Sequence, residues 1–435
     1  MLRVTSSLLK PFDALANDEA PILAVRVLPV GQPLGRRPFH LALLLDTSGS
    51  MEGPRIDAVK RTLNLLIDAM TDSDILSVIT YCDTASVLID AVAISEESRV
   101  TLHSVANNLH ADGSTNIEAA ILAIGQLSAQ PQIDSLFLLT DGHINVGIAS
   151  SAGLQRILQS IVPAGTPVNT LGFGSDHNSR ILSDLAVHSR GSYTYADADE
   201  MLPAIIGNIM GGLEMEVGRR ATLTIPAGWR CMELGSKADD THYVIGTLVA
   251  DKEQWILFEG QGVSVIPNCM LEWYEHTNVH TERCLVDTTM DSLVIAEQYC
   301  RILVTKAFGE ATTLLESGRI EEARTVLTNI GAKLDTSPAN GRPFVVRLHA
   351  QIDDMLASLA SHTRGDLRGQ QYIGSVVARA TSGITTLGVQ RGIFTPTHAM
   401  NQNQVSDPEE IDDSFSSPVQ QRIALQLTRT YTQAP

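Results

Sequence analysis

Three short polar segments carry the side chains that are best suited to chemistry. Segment 46–51 (DTSGSM) supplies one carboxylate and two hydroxyls, and it directly follows the apolar run LALLL. Segment 113–116 (GSTN) adds a threonine hydroxyl, and segment 140–142 (TDG), at the end of the apolar run SLFLL, adds a second carboxylate. Together the three segments offer five hard oxygen ligands, which belong to Asp46, Ser48, Ser50, Thr115 and Asp141.

Oxygen ligands without histidine or cysteine favour a hard divalent cation, above all Mg²⁺, with Mn²⁺ or Ca²⁺ as alternatives. Two carboxylates balance the charge of such an ion, and the remaining ligands are neutral hydroxyls. The ion is therefore expected to keep one position that is open or filled by water. An acidic side chain from another molecule can bind the metal at that position.

The elements around these segments predict how they come together. The run 41–45 is apolar at every position, which is typical of a central parallel strand that is covered on both faces. Between 38 and 212, strand-like runs alternate with amphipathic helical stretches, which predicts an α/β fold with a doubly wound parallel sheet and one antiparallel edge pair. Such sheets bind ligands outside the carboxyl ends of their strands, where the three segments should meet.

In this order and spacing, the three segments resemble the von Willebrand factor A domain with its metal-ion-dependent adhesion site. The resemblance covers about 38–212, and all five motif positions are present. It implies that the serines and the threonine contact the metal directly or in alternation with the second aspartate, while the aspartates often act through water. It also implies a partner protein that supplies an acidic side chain. Related proteins serve as adaptors with AAA+ ATPases, ubiquitin machinery or chelatases.

The remainder of the chain changes character on both sides of this region. An alternating run within 1–37 predicts an N-terminal strand that pairs with an antiparallel β-sandwich over 213–290, where short strands are separated by Gly, Asp and Pro turns. A helical bundle or hairpin is expected over 291–362, and a flexible tail over 363–435. The acidic run 407–413 in this tail is an intramolecular candidate for binding the metal, although a solvated acidic run is the simpler interpretation.

Composition excludes several classes of function. The chain of 435 residues has 31 Lys and Arg against 49 Asp and Glu, a formal net charge of −18, which disfavours binding to nucleic acid or to an anionic membrane surface. Its five cysteines are scattered, as in a cytosolic protein with reduced thiols. No run approaches the roughly 20 apolar residues needed to span a bilayer. We therefore expect a cytoplasmic protein.

No catalytic motif accompanies the oxygen cluster. A haloacid-dehalogenase phosphatase needs a second aspartate where Ser48 stands, and the Gly-x-Ser-x-Gly frame of a serine hydrolase is absent around both Ser48 and Ser50. The sequence therefore predicts a protein-binding module and not an enzyme. The alternatives are a non-ATPase subunit of an AAA+-coupled enzyme such as a chelatase, or a metallohydrolase that uses metal-bound water.

Overall fold

The computed structural model describes residues 2–9, 20–29, 38–128, 132–141, 144–163, 165–173, 178–189, 191–196, five positions between 205 and 213, and then 215–233, 240–250, 253–260, 266–275, 278–287 and 289–361. The tail predicted over 363–435, with its acidic run 407–413, lies outside the described residues. The chain divides into two compact units, which are Met1–Gln32 with Val217–Gly383, and Pro33–Glu216 with Ile384–Pro435.

Strands and helices are numbered here along the chain. The strands are β1 (Leu2–Leu9), β2 (Ile22–Pro29), β3 (His40–Asp46), β4 (Ile75–Tyr81), β5 (Ala85–Ala93), β6 (Ser135–Thr140), β7 (Val168–Phe173), β8 (Tyr193–Ala196), β9 (Glu216–Thr224), β10 (Trp229–Cys231), β11 (His242–Val249), β12 (Gln254–Gly260), β13 (Met270–Glu275), β14 (Asn278–Arg283) and β15 (Leu285–Val286). The helices are α1 (Pro54–Ala69), α2 (Glu96–Asn107), α3 (Ile117–Ile124), α4 (Ser151–Ile161), α5 (Ser179–Ser189), α6 (Ser292–Glu316), α7 (Ile320–Asp335) and α8 (Pro343–Ser361).

The unit that holds the three polar segments is built on a six-stranded sheet in the order β5-β4-β3-β6-β7-β8. All neighbours in this sheet are parallel except β4 and β5, which form an antiparallel edge pair. Strands β3, β6 and β7 are buried along their whole length, as their uninterrupted apolar runs predict. The prediction of an α/β fold with one antiparallel edge pair is confirmed. Strands β3 and β6 are direct neighbours, so Asp46 and Asp141 lie at one edge of the sheet.

The other unit contains two sheets, in the orders β10-β12-β2-β1-β15 and β11-β9-β13-β14. One hydrophobic cluster takes buried side chains from both sheets, among them Leu23, Val25, Leu223 and Leu271. The five-stranded sheet is mixed, because β1 pairs with β15 in parallel. The predicted antiparallel character of the sandwich is therefore not confirmed for this sheet, because the chain leaves β14 and continues alongside β1 in the same direction.

Three helices complete this second unit. Helices α6, α7 and α8 share a core of small and aliphatic side chains that includes Ala311, Leu327 and Ile352. Helix α6 also packs against the five-stranded sheet, where Ile295 and Ile302 contact the cluster that contains Leu257 of β12. Among the described residues, none of the helices combines the length and the apolarity that crossing a bilayer requires.

Candidate functional site

The first loop of the site begins where β3 ends, at Asp46. The backbone N–H of Thr47 donates to the carbonyl oxygen of Tyr81, at the end of β4, over 2.8 Å, and holds the loop against the edge of the sheet. The N–H of Ser48 then turns back and donates to Oδ1 of Asp46 at 2.8 Å. A short 3-10 helix over Gly49–Met51 follows and places Ser50 on the same side as Ser48.

Side-chain oxygens of the first and third loops are in direct contact. Oγ of Ser48 lies 3.1 Å from Oγ of Ser50, and Oγ of Ser50 donates to Oδ1 of Asp141 at 2.7 Å. Through Ser48, this run of oxygens also reaches the carboxylate of Asp46. The structure therefore brings together four of the five predicted residues by hydrogen bonds.

Thr115, the fifth predicted residue, reaches the site on a loop that is fastened to the first one. The N–H of Gly49 donates to the carbonyl oxygen of Gly113 at 2.9 Å, and the N–H of Asp112 donates to that of Thr47 at 2.7 Å. Thr115 itself is buried, and its carbonyl oxygen accepts from the N–H of Asn145, 3.0 Å away, in the segment after β6. The backbone, not the threonine side chain, thus provides the described links between the second loop and the other two.

Both carboxylates of the site are fully buried, with 0% exposure for Asp46 and for Asp141. The pKa of Asp46 is raised to about 6, chiefly by burial and to a smaller extent by the nearby Asp141, against the opposite effect of hydrogen bonds from Thr140 and Ser48. Oγ1 of Thr140 donates to Oδ2 of Asp46 at 2.5 Å. A cation among these oxygens would offset the cost of burying the two negative charges.

An arginine that the sequence analysis did not identify also contacts the site. Nη1 of Arg55, in the first turn of α1, donates to Oδ2 of Asp141 and, at 3.3 Å, to the carbonyl oxygen of Ser50. The side chain of Arg55 is 32% exposed, whereas that of Asp141 is 0% exposed. The guanidinium therefore provides positive charge at the buried carboxylate. Its only sequence signal is a basic residue soon after the DTSGSM segment, which does not show where the side chain points.

The donor set fits a hard cation. In the part of the chain that the structure describes, no group of three or more His, Cys, Asp or Glu side chains is arranged to hold a metal ion. An ion at this edge of the sheet would rely on two carboxylates together with serine and threonine hydroxyls, which are the neutral oxygen ligands that Mg²⁺ accepts alongside water.

Comparison with known proteins agrees with this geometry at the level of the domain. Residues 40–208 match the family model described as the von Willebrand factor type A domain. The fold of this region also supports the assignment of residues 40–208 to this family. This region of the chain is therefore a von Willebrand factor type A domain, a class of domain that commonly mediates protein–protein interaction.

Relatives and solved structures extend the comparison. The chain is 25% identical over 222 residues to the uncharacterized protein YfbK of Escherichia coli K12, a match that covers 49% of this chain and 38% of the length of YfbK. It is similar in fold to a von Willebrand factor type A protein from Catenulispora acidiphila, with a TM-score of 0.64 and 16% identity over 86% of this chain and 96% of the other. For the ArnB paralog VWA2 of Sulfolobus acidocaldarius, the TM-score is 0.59 and the identity 15%, over 88% and 98%.

Proposed function

We propose that this chain is a Mg²⁺-dependent protein-interaction module. In this proposal Asp46, Ser48, Ser50, Thr115 and Asp141 hold the ion, and an acidic side chain of a partner protein completes its coordination. The observation that carries the proposal is the run of hydrogen-bonded oxygens from Ser48 through Ser50 to the buried Asp141. A bound divalent ion supplies a position that attracts a carboxylate at the surface of the domain.

The charges of the site and of the whole chain support a partner that offers an acidic group to the metal and has a basic surface around that group. The two carboxylates of the site balance the 2+ charge of the ion, so its remaining ligands are neutral and a third carboxylate is attracted to it. The whole chain carries a formal net charge of −18, which repels broadly acidic partners. We therefore propose a partner that presents one exposed Asp or Glu within a basic rim, with an AAA+ ATPase or a component of ubiquitin-type machinery as candidates.

Cysteine chemistry supports a cytoplasmic location. The five cysteines, Cys82, Cys231, Cys269, Cys284 and Cys300, are all free thiols. Free thiols persist where cellular reductants keep them reduced. Thiol alkylation at the moment of cell lysis tests the location, because a protein exported to an oxidising compartment would yield fewer alkylated cysteines.

Calorimetric titration with Mg²⁺ tests the metal site directly. We expect the intact chain to bind one ion, and we expect Ser48→Ala to weaken binding at least about tenfold, since a metal ligand and the contact to Ser50 are lost together. Ser114→Ala is the matched control, because Ser114 lies beside Thr115 but is not one of the five ligands. Equal affinities for the two variants, or no uptake by the intact chain, would contradict the proposal.

Selection from a random peptide library tests the ligand. In the presence of Mg²⁺ we expect enrichment of peptides with an Asp or Glu at a fixed position, and we expect EDTA or Ser48→Ala to abolish it. The alternative of a metallohydrolase makes a different prediction. Mg²⁺-dependent turnover of phosphate or carboxylic esters that Asp46→Ala abolishes would favour an enzyme over a binding module.

A further inference from the structure

Two buried cysteines face each other at the open end of the β13–β14 hairpin. Met270 pairs with Arg283 in the antiparallel register, so Cys269, one residue before β13, is opposite Cys284, one residue after β14. The N–H of Cys284 donates to the carbonyl oxygen of Cys269 at 2.9 Å, which identifies a hydrogen-bonded pair. In such a pair the Cα atoms are about 5.5 Å apart. This separation lies at the most common value for disulfide-bonded cysteines, about 5.5–6 Å.

The two thiols also point toward the same interior. Directly opposite residues of an antiparallel pair project from the same face of the sheet. Cys269 is 0% exposed and Cys284 is 6% exposed, and both belong to the hydrophobic cluster that contains Leu271 and Trp273. The facing side chains and the expected Cα separation suit a disulfide without a change of register, and closure requires the Cβ atoms to approach from about 5 Å to about 4 Å.

We propose that Cys269 and Cys284 form a reversible disulfide that fixes the open end of the β13–β14 hairpin. A low-molecular-weight disulfide is the oxidant. One of the two sulfurs attacks this reagent, forms a mixed disulfide and releases one small thiol. The other sulfur then attacks the first and releases the second small thiol, so the two protein thiols are oxidised and the reagent is reduced to two thiols.

The two thiols interact directly. Side-chain hydrogen bonding between Cys269 and Cys284 lowers the pKa of Cys269 and, together with burial, raises the pKa of Cys284. The thiol of Cys269 also donates to the carbonyl oxygen of Pro267 at 3.6 Å. Hydrogen bonding between the thiols requires the two sulfurs to lie close together, as closure of a disulfide also requires.

The position of the hairpin explains how a small reagent can reach the two buried cysteines. Strand β14 is an edge strand of its sheet, and most of its residues are exposed, as are both residues of β15. Edge segments with few buried contacts open locally far more often than the whole domain unfolds. Opening of β14 admits the small disulfide, and closure returns the two sulfurs to each other.

Treatment of the full-length chain with oxidised glutathione, followed by alkylation and tryptic mass mapping, tests the proposal. Trypsin cleaves after Arg283, between the two cysteines, so the disulfide joins two peptides and lowers their summed mass by two hydrogen atoms. The peptide that begins at Cys284 also contains Cys300. The Cys300→Ser variant therefore serves as the matched control and should give the same link, whereas Cys284→Ala should give none.

Thermal unfolding provides the second measurement. A closed loop of about 15 residues restricts the unfolded chain, and we expect the midpoint of the unit that holds the hairpin to rise by roughly 5 °C on oxidation and to return on reduction. Retention of both thiols in reactive form after treatment, or a link from Cys269 to Cys231 or Cys300 instead, would overturn the proposal. Neither readout depends on metal binding, so the test is independent of the proposed function.

Discussion

At the scale of single residues, the central feature of the site is the carboxylate of Asp141, which accepts hydrogen bonds from two kinds of donor. Asp141 accepts from the hydroxyl of Ser50 through Oδ1 and from the guanidinium of Arg55 through Oδ2. A metal ion that binds Asp141 must share this carboxylate with Arg55 or displace it. If Asp141 binds a metal ion as proposed, Arg55 stabilises the metal-free site and, for the same reason, competes with the metal.

Arg55→Gln tests this competition. Removal of the guanidinium should tighten Mg²⁺ binding by about threefold to tenfold, because a partly exposed ion pair contributes on the order of 1 kcal/mol. The same change should lower the free energy of unfolding of the metal-free protein by about 1–2 kcal/mol, since Asp141 loses its positive partner. Calorimetric titration and urea unfolding in EDTA measure the two effects.

Arg55→Lys is the control that retains the positive charge but not the planar guanidinium. For this variant, we expect the Mg²⁺ affinity and the free energy of unfolding to be closer to those of the unchanged protein. Weaker Mg²⁺ binding by Arg55→Gln would contradict the competition and would make Arg55 a support of the metal-bound site.

The sequence predicts the oxygen-bearing residues that meet at this edge of the sheet, but not the neighbours that contact them. Serine, threonine and aspartate at the ends of apolar strands point to an oxygen site because the topology of a parallel sheet brings strand ends together. The contact of Arg55 with Asp141 depends instead on one side-chain rotamer, and the bond from Thr140 to Asp46 depends on neighbouring strands at one register. Neither contact has a spacing pattern that distinguishes it in the sequence.

At the scale of elements, the second loop depends on the conformation of Gly113. Its φ angle is +76°, and a Cβ added there would lie 2.5 Å from Oδ2 of Asp83. Oδ1 of the same carboxylate accepts from the N–H of Ser114 at 3.3 Å, directly before Thr115. Displacement of Asp83 therefore disturbs the segment that carries the fifth predicted ligand.

Gly113→Ala should destabilise the protein by about 1–2 kcal/mol through its positive φ angle, and by more through the contact with Asp83. It should also weaken Mg²⁺ binding about fivefold, because Thr115 moves with its loop. Gly341→Ala is the matched control: its φ angle is +82°, but an added Cβ meets nothing within 4 Å. Equal Mg²⁺ affinity for Gly113→Ala and the unchanged protein would show that the loop does not position a ligand.

Elements with a continuous run of apolar residues could be predicted from the sequence, and elements with few buried apolar residues could not. Strand β3 follows directly from its apolar run. Helix α2 has a sparse pattern, because it buries only Leu102 and Ala106. The alternating run that predicts the N-terminal strand lies over 20–30 and corresponds to β2, whereas β1 lacks such a run because three of its buried positions are the small polar residues 5–7. This segment forms a strand because it pairs with β2, a contact that its own sequence does not indicate.

At the scale of the whole molecule, a metal that binds one unit should stabilise that unit. Mg²⁺ at about 100 times its dissociation constant adds about 2.7 kcal/mol to the unit that binds it. In hydrogen-exchange mass spectrometry, the slowest amides of β3 and β6 should then exchange about 100-fold more slowly, while those of β12 keep their rate.

Ser48→Ala is the control for this experiment, and at the same Mg²⁺ concentration its β3 and β6 amides should slow by at most about tenfold, because its affinity is at least about tenfold lower. Equal protection of β12 and β3 would mean that the ion acts on the whole chain and not through the oxygen site. The measurement therefore places the metal in the molecule without a crystal of the complex.

The discontinuous unit also has a consequence for synthesis on the ribosome. Arg26 of β2 hydrogen-bonds to Glu253, next to β12, across a sequence separation of 227 residues. At translation rates of about 5–20 residues per second, β2 waits roughly 10–45 s for this neighbour, while the β3–β8 sheet has already emerged. Nascent chains arrested before β12 should therefore resist limited proteolysis in the unit built on the β3–β8 sheet and remain cleavable in their first thirty residues.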